Sequence, residues 1–198
     1  REAVFKGQTT PMVFGKPQAW VAQLVEALQA DARGDHPLAR HLREQALEAA
    51  PTTSGTLNGE PFEWLADADS RLGPVLEAFV NGKYYWIPFS RLTKVSMEAP
   101  QDLRDMVWMP AYLTFDNGGE VVAMIPTRYP GSQLSEDPQI QLSRKTEWTP
   151  LGDPEAQRYA GMGQRVLTTS LGDHDLLRTL LIELEPPAAP EPTEAQDG

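Results

Sequence analysis

Residues 111 to 125 constrain the fold more than any other stretch: Ala111-Tyr112-Leu113-Thr114-Phe115 and Val121-Val122-Ala123-Met124-Ile125 flank Asp116-Asn117-Gly118-Gly119. The central residues tolerate the positive backbone angles of a tight reversal and the flanking ones suit a pleated surface, so an antiparallel hairpin is expected. A lone hairpin is marginal in water and needs further strands. Tyr84 to Ile87, Arg91 to Met97 and Val107 to Phe115 supply them, as do Thr146 to Thr149, Gly163 to Thr168 and Leu177 to Leu184. Turn residues separate these runs, and the sheet should be mostly antiparallel.

The period is different upstream. After the breaker-rich stretch from Thr9 to Pro17, Trp20, Val21, Leu24, Val25 and Leu28 recur at helical spacing, which predicts an amphipathic helix from near Pro17 to near Asp31. Gly34-Asp35 turns the chain, Pro37 suits an early helix position, and Leu38, Ala39, Leu42, Ala46 and Leu47 carry a second helix to Pro51. A connection this short packs the two antiparallel, and Ala39 and Ala46 permit close approach. The pair is tetratricopeptide-like (TPR-like), with no second copy in the chain. A further helix is expected over Asp69 to Val80, ended by Asn81-Gly82. The fold class is therefore α+β: a helical hairpin in residues 1–52, an α/β part with a mostly antiparallel sheet in 53–184, and an acidic, Pro-rich mobile tail in 185–198. Glu2 to Phe5 reads as the end of a helix, which carries the expectation of a segment upstream.

Composition excludes several functions. The 198 residues, 40% of them hydrophobic, suffice for a real core. A formal charge of −11 repels phosphate backbones and anionic lipid, so neither nucleic acid nor a membrane is an expected partner. There is no cysteine, which removes disulfides, thiolate metal sites and a cysteine nucleophile, and which suits a cytoplasmic protein. No apolar run approaches the length of a membrane span.

Two charged segments invite chemistry. Asp67, Asp69 and Arg71 fall within five residues, and an Asp-x-Asp pair can hold a nucleophile and a magnesium ion, so a Mg-dependent phosphohydrolase using Asp67 and Asp69 is one alternative. Such an enzyme also needs a preceding buried strand, further downstream acids and a lysine, and only Trp64-Leu65-Ala66 precedes the pair here. The preferred reading makes Asp67 or Asp69 the cap of the helix that follows, with Arg71 paired to a carboxylate. Asp102, Arg104 and Asp105 repeat the mixture, and a bidentate Arg104 link between segments would fix register. Both clusters are read as structural, interdomain ion pairs. His36, His41 and His174 share no metal-ligand spacing, no Gly-x-Ser-x-Gly elbow occurs, and Gly118-Gly119 and Gly161-x-Gly163 read as turn glycines. No cofactor, metal or catalytic residue is expected.

Large aromatic side chains cluster in the second part. Tyr84 and Trp86 should share one strand face and Tyr85 the other, and most of these rings belong to a core. Trp64, Tyr84, Tyr85, Trp86, Trp108 and Tyr129, interleaved with Arg71, Arg104 and Arg128, also match the composition of protein-binding hot spots, and these nine residues are the candidate partner-binding set.

The run from Gly59 to Glu77 resembles the ImpE/TagJ (SciE-type) family. So do Asn81 to Phe89, Pro100 to Trp108, Ile125 to Ser132, Thr146 to Trp148 and Gly161 to Arg165, in order along nearly the whole chain. The resemblance implies a non-catalytic accessory protein of bacterial type VI secretion, helical at its N-terminus and α/β at its C-terminus. It further implies binding to the N-terminal helix of the small contractile-sheath subunit and a link to the AAA+ ATPase that dismantles the sheath. Two departures from the family pattern stand out: fewer repeat-like helices lie upstream than family members usually carry, and Gly172-Asp173-His174-Asp175-Leu176-Leu177 replaces a Tyr-Pro-type stretch. A generic TPR-like scaffold is the remaining alternative.

Overall fold

The computed structural model describes residues 1–16, 18–152 and 158–185. A one-turn helix, α1 (Glu2–Phe5), and a two-residue strand, β1 (Met12–Val13), precede the helical hairpin of α2 (Ala19–Ala32) and α3 (His36–Ala49). The hairpin matches its sequence pattern. The Asp35 side chain accepts from the Leu38 amide at 3.2 Å, capping α3, and Pro37 occupies the first turn. Asp31 on α2 takes the nearly buried Arg43 of α3 and, at 3.2 Å, His36, which locks the turn. Pro17, where the first helix was expected to start, lies outside the described residues.

The chain then forms β2 (Ser54–Leu57), β3 (Glu60–Phe62), β4 (Leu65–Asp67), β5 (Val75–Val80), β6 (Lys83–Pro88), β7 (Leu92–Met97), β8 (Trp108–Phe115) and β9 (Glu120–Pro126). A short helix α4 (Pro138–Gln141) leads to β10 (Thr146–Pro150), β11 (Tyr159–Gly163), β12 (Val166–Thr169), β13 (Gly172–Asp175) and β14 (Leu181–Glu185). The main sheet has nine strands in the order β1-β6-β5-β9-β8-β7-β14-β2-β3. All its pairings are antiparallel except that of β1 with β6. Smaller sheets join β13-β12-β4 and β10-β11. The fold is α+β with an antiparallel-dominated sheet. The expected hairpin is β8 and β9, with Tyr112 opposite Val122.

Residues 69 to 80 are not a helix. Val75 to Val80 is a central strand with nearly every residue buried, and a short apolar run of this kind carries no periodicity that separates a strand from a buried helix. Asn81-Gly82, with φ of 50° and 75°, is the two-residue turn of the β5–β6 hairpin rather than a helix stop. With no helix there, neither Asp67 nor Asp69 caps one. Gly161 and Gly163 lie in β11, not in a turn. The strand expected over Gly163 to Thr168 divides between β11 and β12, and the one expected from Leu177 begins at Leu181 after a 3-10 turn at Leu176–Arg178. Glu185, placed in the tail by composition, ends β14, where it pairs with Ser54; residues 186–198 lie outside the described residues.

The two faces of the sheet are covered differently. One encloses the larger core, including Leu76, Ile87, Leu113, Ile125 and Ile182. On the other, Trp20, Val21, Leu24 and Leu28 of α2 pack over Val75 and Trp86, so the helices cover only the β5–β6 side.

Candidate functional site

Tyr84 and Trp86 point to the helical layer and Tyr85 packs toward the opposite core beside Phe14, as strand alternation requires. Beneath that layer lies a chain of buried charge. The Arg165 side chain is 0% exposed, and its Nε and Nη2 reach Asp67 Oδ2 at 3.0 and 2.5 Å. Its Nη1 lies 3.5 Å from Glu77 Oε2. Glu77 also accepts a two-pronged pair from Arg1, both prongs at 2.7 Å, and the Tyr84 hydroxyl. Trp86 Nε1 donates to that hydroxyl at 2.7 Å. The other oxygen of Asp67 accepts the Tyr129 hydroxyl at 2.9 Å and the Asp69 amide at 2.8 Å.

Asp69 is equally engaged. Its Oδ1 accepts the Arg71 amide and Nε, each at 2.9 Å, and its Oδ2 accepts Arg71 Nη2 at 2.5 Å and the Gly161 amide at 3.0 Å. Gly161 is required there because a Cβ would sit 2.2 Å from the Tyr129 ring. Four strands, β4, β5, β11 and β6, with the Arg165 segment, are thus tied through charges.

Burial lifts the Asp67 carboxyl to about 6, with Arg165 opposing and Asp69 adding to the rise. Burial also disfavours charge on Glu77, but Arg1 and Arg165 outweigh it and, with the Tyr84 hydrogen bond, hold it at about 2. Burial, reinforced by the charges of Asp67 and Asp69, pushes Tyr129 well above its usual value, so it remains a donor. Every carboxylate oxygen of Asp67 and Asp69 is turned into the protein and bonded, and the two residues are only 3% and 0% exposed, whereas the phosphohydrolase alternative requires both to converge on a solvent-reachable cavity. No group of three His, Asp or Glu among the described residues could hold a metal ion.

The second charged segment behaves otherwise. The Arg104 side chain is 67% exposed and reaches only Asp105, at 3.4 Å, and Asp102, at 3.7 Å, in its own loop. Asp102 accepts the amides of Arg104 and Asp105. The link expected between segments is absent among the described residues.

The nine candidate partner-binding residues do not form one patch. Trp86 and Tyr129 are 0% exposed, Arg71 and Tyr84 belong to the charged network, and Trp64, Tyr85 and Arg104 lie apart. Trp108, Arg128 and Tyr129 meet around a cleft of about 380 Å³, which Arg1, Val107 and Pro126 also line.

Beside that cleft runs a surface that the sequence alone did not single out. On the sheet face carrying the helices, the β8–β9 side has no cover among the described residues. Pro110 pairs with Met124 and Tyr112 with Val122, Met124 also pairs with Phe79 of β5, and Phe79 meets Trp108 edge to face at 5.1 Å. Tyr112 is 58% exposed and Val122 60%. Strand alternation was the available signal: Met109, Ala111, Leu113, Ala123 and Ile125 fill the core, so the residues between them must face outward.

The family model described as ImpE protein matches residues 59–183. The type VI secretion system accessory component TagJ of Pseudomonas aeruginosa is 47% identical over 186 residues, covering 94% of this chain and 64% of that protein. The chain therefore spans less than two thirds of that relative's length. The crystal structure of protein VPA1032 from Vibrio parahaemolyticus superposes with a TM-score of 0.82 at 22% identity, covering 91% of this chain and 67% of that one, which shows a shared fold. No helix among the described residues is long and apolar enough to cross a membrane.

Proposed function

The chain belongs to the ImpE family, and from that premise we propose that it is a cytoplasmic, non-catalytic accessory protein of type VI secretion that works by gripping a helix of another protein. The partner is the N-terminal helix of the small sheath subunit, and the complex is linked to the sheath-disassembly ATPase. The same proposal takes the α2–α3 pair as TPR-like, residues 1–52 as the helical part and 53–184 as the α+β domain.

The observation that carries this reading is the strip on which Tyr112 and Val122 are exposed, with half-buried Phe79, Trp108, Pro110 and Met124 beside them. Apolar and aromatic area on an otherwise well-packed sheet marks an interaction site. From Trp108 to Thr114 a strand advances roughly 20 Å, the length of a helix of about 13 residues. An amphipathic helix could lay its apolar side along this strip, flanked by the helical layer on one edge. The candidate residues Trp108 and Arg128 stand at one end, and Lys94 and Glu120 at the other.

Calorimetric titration with a synthetic N-terminal helix of the small sheath subunit tests the proposal. Tyr112→Ala with Val122→Ser should weaken binding by about tenfold or more, since central aromatic anchors dominate such interfaces. Both side chains are exposed, so folding should be retained. Undiminished affinity in that variant would move the docking face elsewhere, and an absence of binding to the unaltered protein would remove the partner.

A further inference from the structure

Arg128 is unlike four other guanidiniums near the core. Arg165, Arg1, Arg71 and Arg43 each pair with a carboxylate. Arg128 is half-buried and forms no ion pair among the described residues. Its Nη1 donates to the Gln141 carbonyl, and its remaining N–H groups have no acceptor among those residues. Burial, and then the neighbouring Arg1, lower its pKa, so the group feels a like charge and no compensating one. Glu2 also lines the cleft, but it accepts from Gln133 and makes no bond to Arg128.

Around this guanidinium Val107, Trp108, Pro126 and Pro130 supply the apolar wall, and Arg1, Glu2 and Gln133 the polar one. A half-buried guanidinium whose unbonded N–H groups open into a partly apolar cleft keeps donors that a ligand acceptor can take, and a charge-assisted bond there is stronger than one in open water. We propose that the Arg128 cleft is a subsite for a single carboxylate carried by an apolar peptide segment: an Asp or Glu side chain of the helix that docks on the adjoining strip. This inference rests on the docking proposal above and adds polarity to it, because an acid at one end of the helix would be held next to Trp108 and fix which way the helix runs. A carboxylate is favoured over phosphate on two grounds. One unpaired guanidinium matches one negative charge, and the chain's net charge of −11 opposes the approach of polyanions.

Two experiments separate the subsite from the docking face. In the first, the Arg128 side-chain Nε–H is followed by NMR, its signal assigned by its loss in Arg128→Gln, during titration with N-acetyl-leucinate, N-acetyl-leucinamide and inorganic phosphate. A shift that saturates with the carboxylate and not with the amide or phosphate supports the subsite, whether or not the sheath helix binds. Saturation by phosphate alone, or by none of the three, overturns it. In the second, the sheath-subunit helix is titrated with each Asp and Glu changed singly to its amide. One such change should weaken binding by about tenfold, as loss of a charge-assisted hydrogen bond does, and should have no additional effect on Arg128→Gln. Equal affinity for all the peptides overturns the carboxylate subsite while leaving the docking face in place. Because the second experiment alters the peptide, a fold defect in the variant cannot imitate its result. Arg128→Lys keeps the charge without the fork, so it should recover part of the affinity lost in Arg128→Gln.

Discussion

The segments Asp67 to Arg71 and Asp102 to Asp105 carry the same kinds of charge, yet in the first both carboxylates are buried, while in the second Asp102 and Arg104 stand largely in solvent and only Asp105 is buried. In the first, each carboxylate has fixed partners on other strands, so the charges join elements distant in sequence. In the second, the partners are neighbours within one loop. Water screens Asp102 and Arg104, whereas the carboxylates of the first segment depend on protein donors alone. The contrast teaches that a cluster's partners and burial, more than its composition, set its energetic weight.

The largest expected effect tests the buried side of that contrast. Arg165→Met leaves Asp67 without its cation and takes one from Glu77, and it should cost about 3–5 kcal/mol, as removal of one partner from a buried pair does. Urea denaturation measures this, and a loss below about 1 kcal/mol, the range of an exposed pair, would put the two clusters on a par. Next is pH dependence. Folded Asp67 keeps its proton up to about pH 6, against 3.8 for the ordinary carboxyl, so the folded state binds more protons in that window. Its contribution to stability therefore falls as pH rises from about 4 to 6, by on the order of 3 kcal/mol. Glu77 acts in the opposite sense: held at about 2 against 4.5, it stabilises above the higher value, and that stabilisation is lost as pH falls between them. Asp67→Asn should remove the first slope and leave the second, as urea midpoints measured from about pH 3 to 7 would show.

A smaller loss is expected from Tyr129→Phe, which deletes the hydroxyl on Asp67 while keeping the ring: about 1.5–3 kcal/mol, the worth of a hydrogen bond to a charged group. Thermal melts of Tyr129→Phe against Tyr129→Ala separate the hydroxyl from the packing. The smallest effect belongs to the exposed cluster, where Arg104→Ala should cost less than about 0.5 kcal/mol. A change comparable to that of Arg165→Met would dissolve the comparison from its other side.

Much of the fold could be read from local patterns. The β8–β9 hairpin announces itself through Asp116 to Gly119, and α2 and α3 through their apolar stripes and the Asp35-Pro37 start signal. The β5 strand was hidden because Val75 to Val80 is apolar on both faces, so the period that would have distinguished it is missing. One sign was present: a lone Glu77 within that apolar run demands a buried cation. Which cation it finds depends on bringing Arg1 and Arg165 to the same place, 76 residues away in the first case. The candidate site was legible in the same limited way. Trp108 and Arg128 do meet at a cleft, beside a Tyr129 that is itself buried, while Trp86 has no exposed surface and the strip beside the cleft draws on Pro110, Val122 and Met124, residues with no aromatic or charged signature.

By itself the sequence determined the family, the helical hairpin and the alternation that sorts each β8 and β9 residue to one face or the other, because these depend on neighbours within a few positions. Only the tertiary structure decided which face stays uncovered and which charges lose their water. Both outcomes follow from where α2 comes to rest on the sheet, and that position is set by packing between residues far apart in the chain.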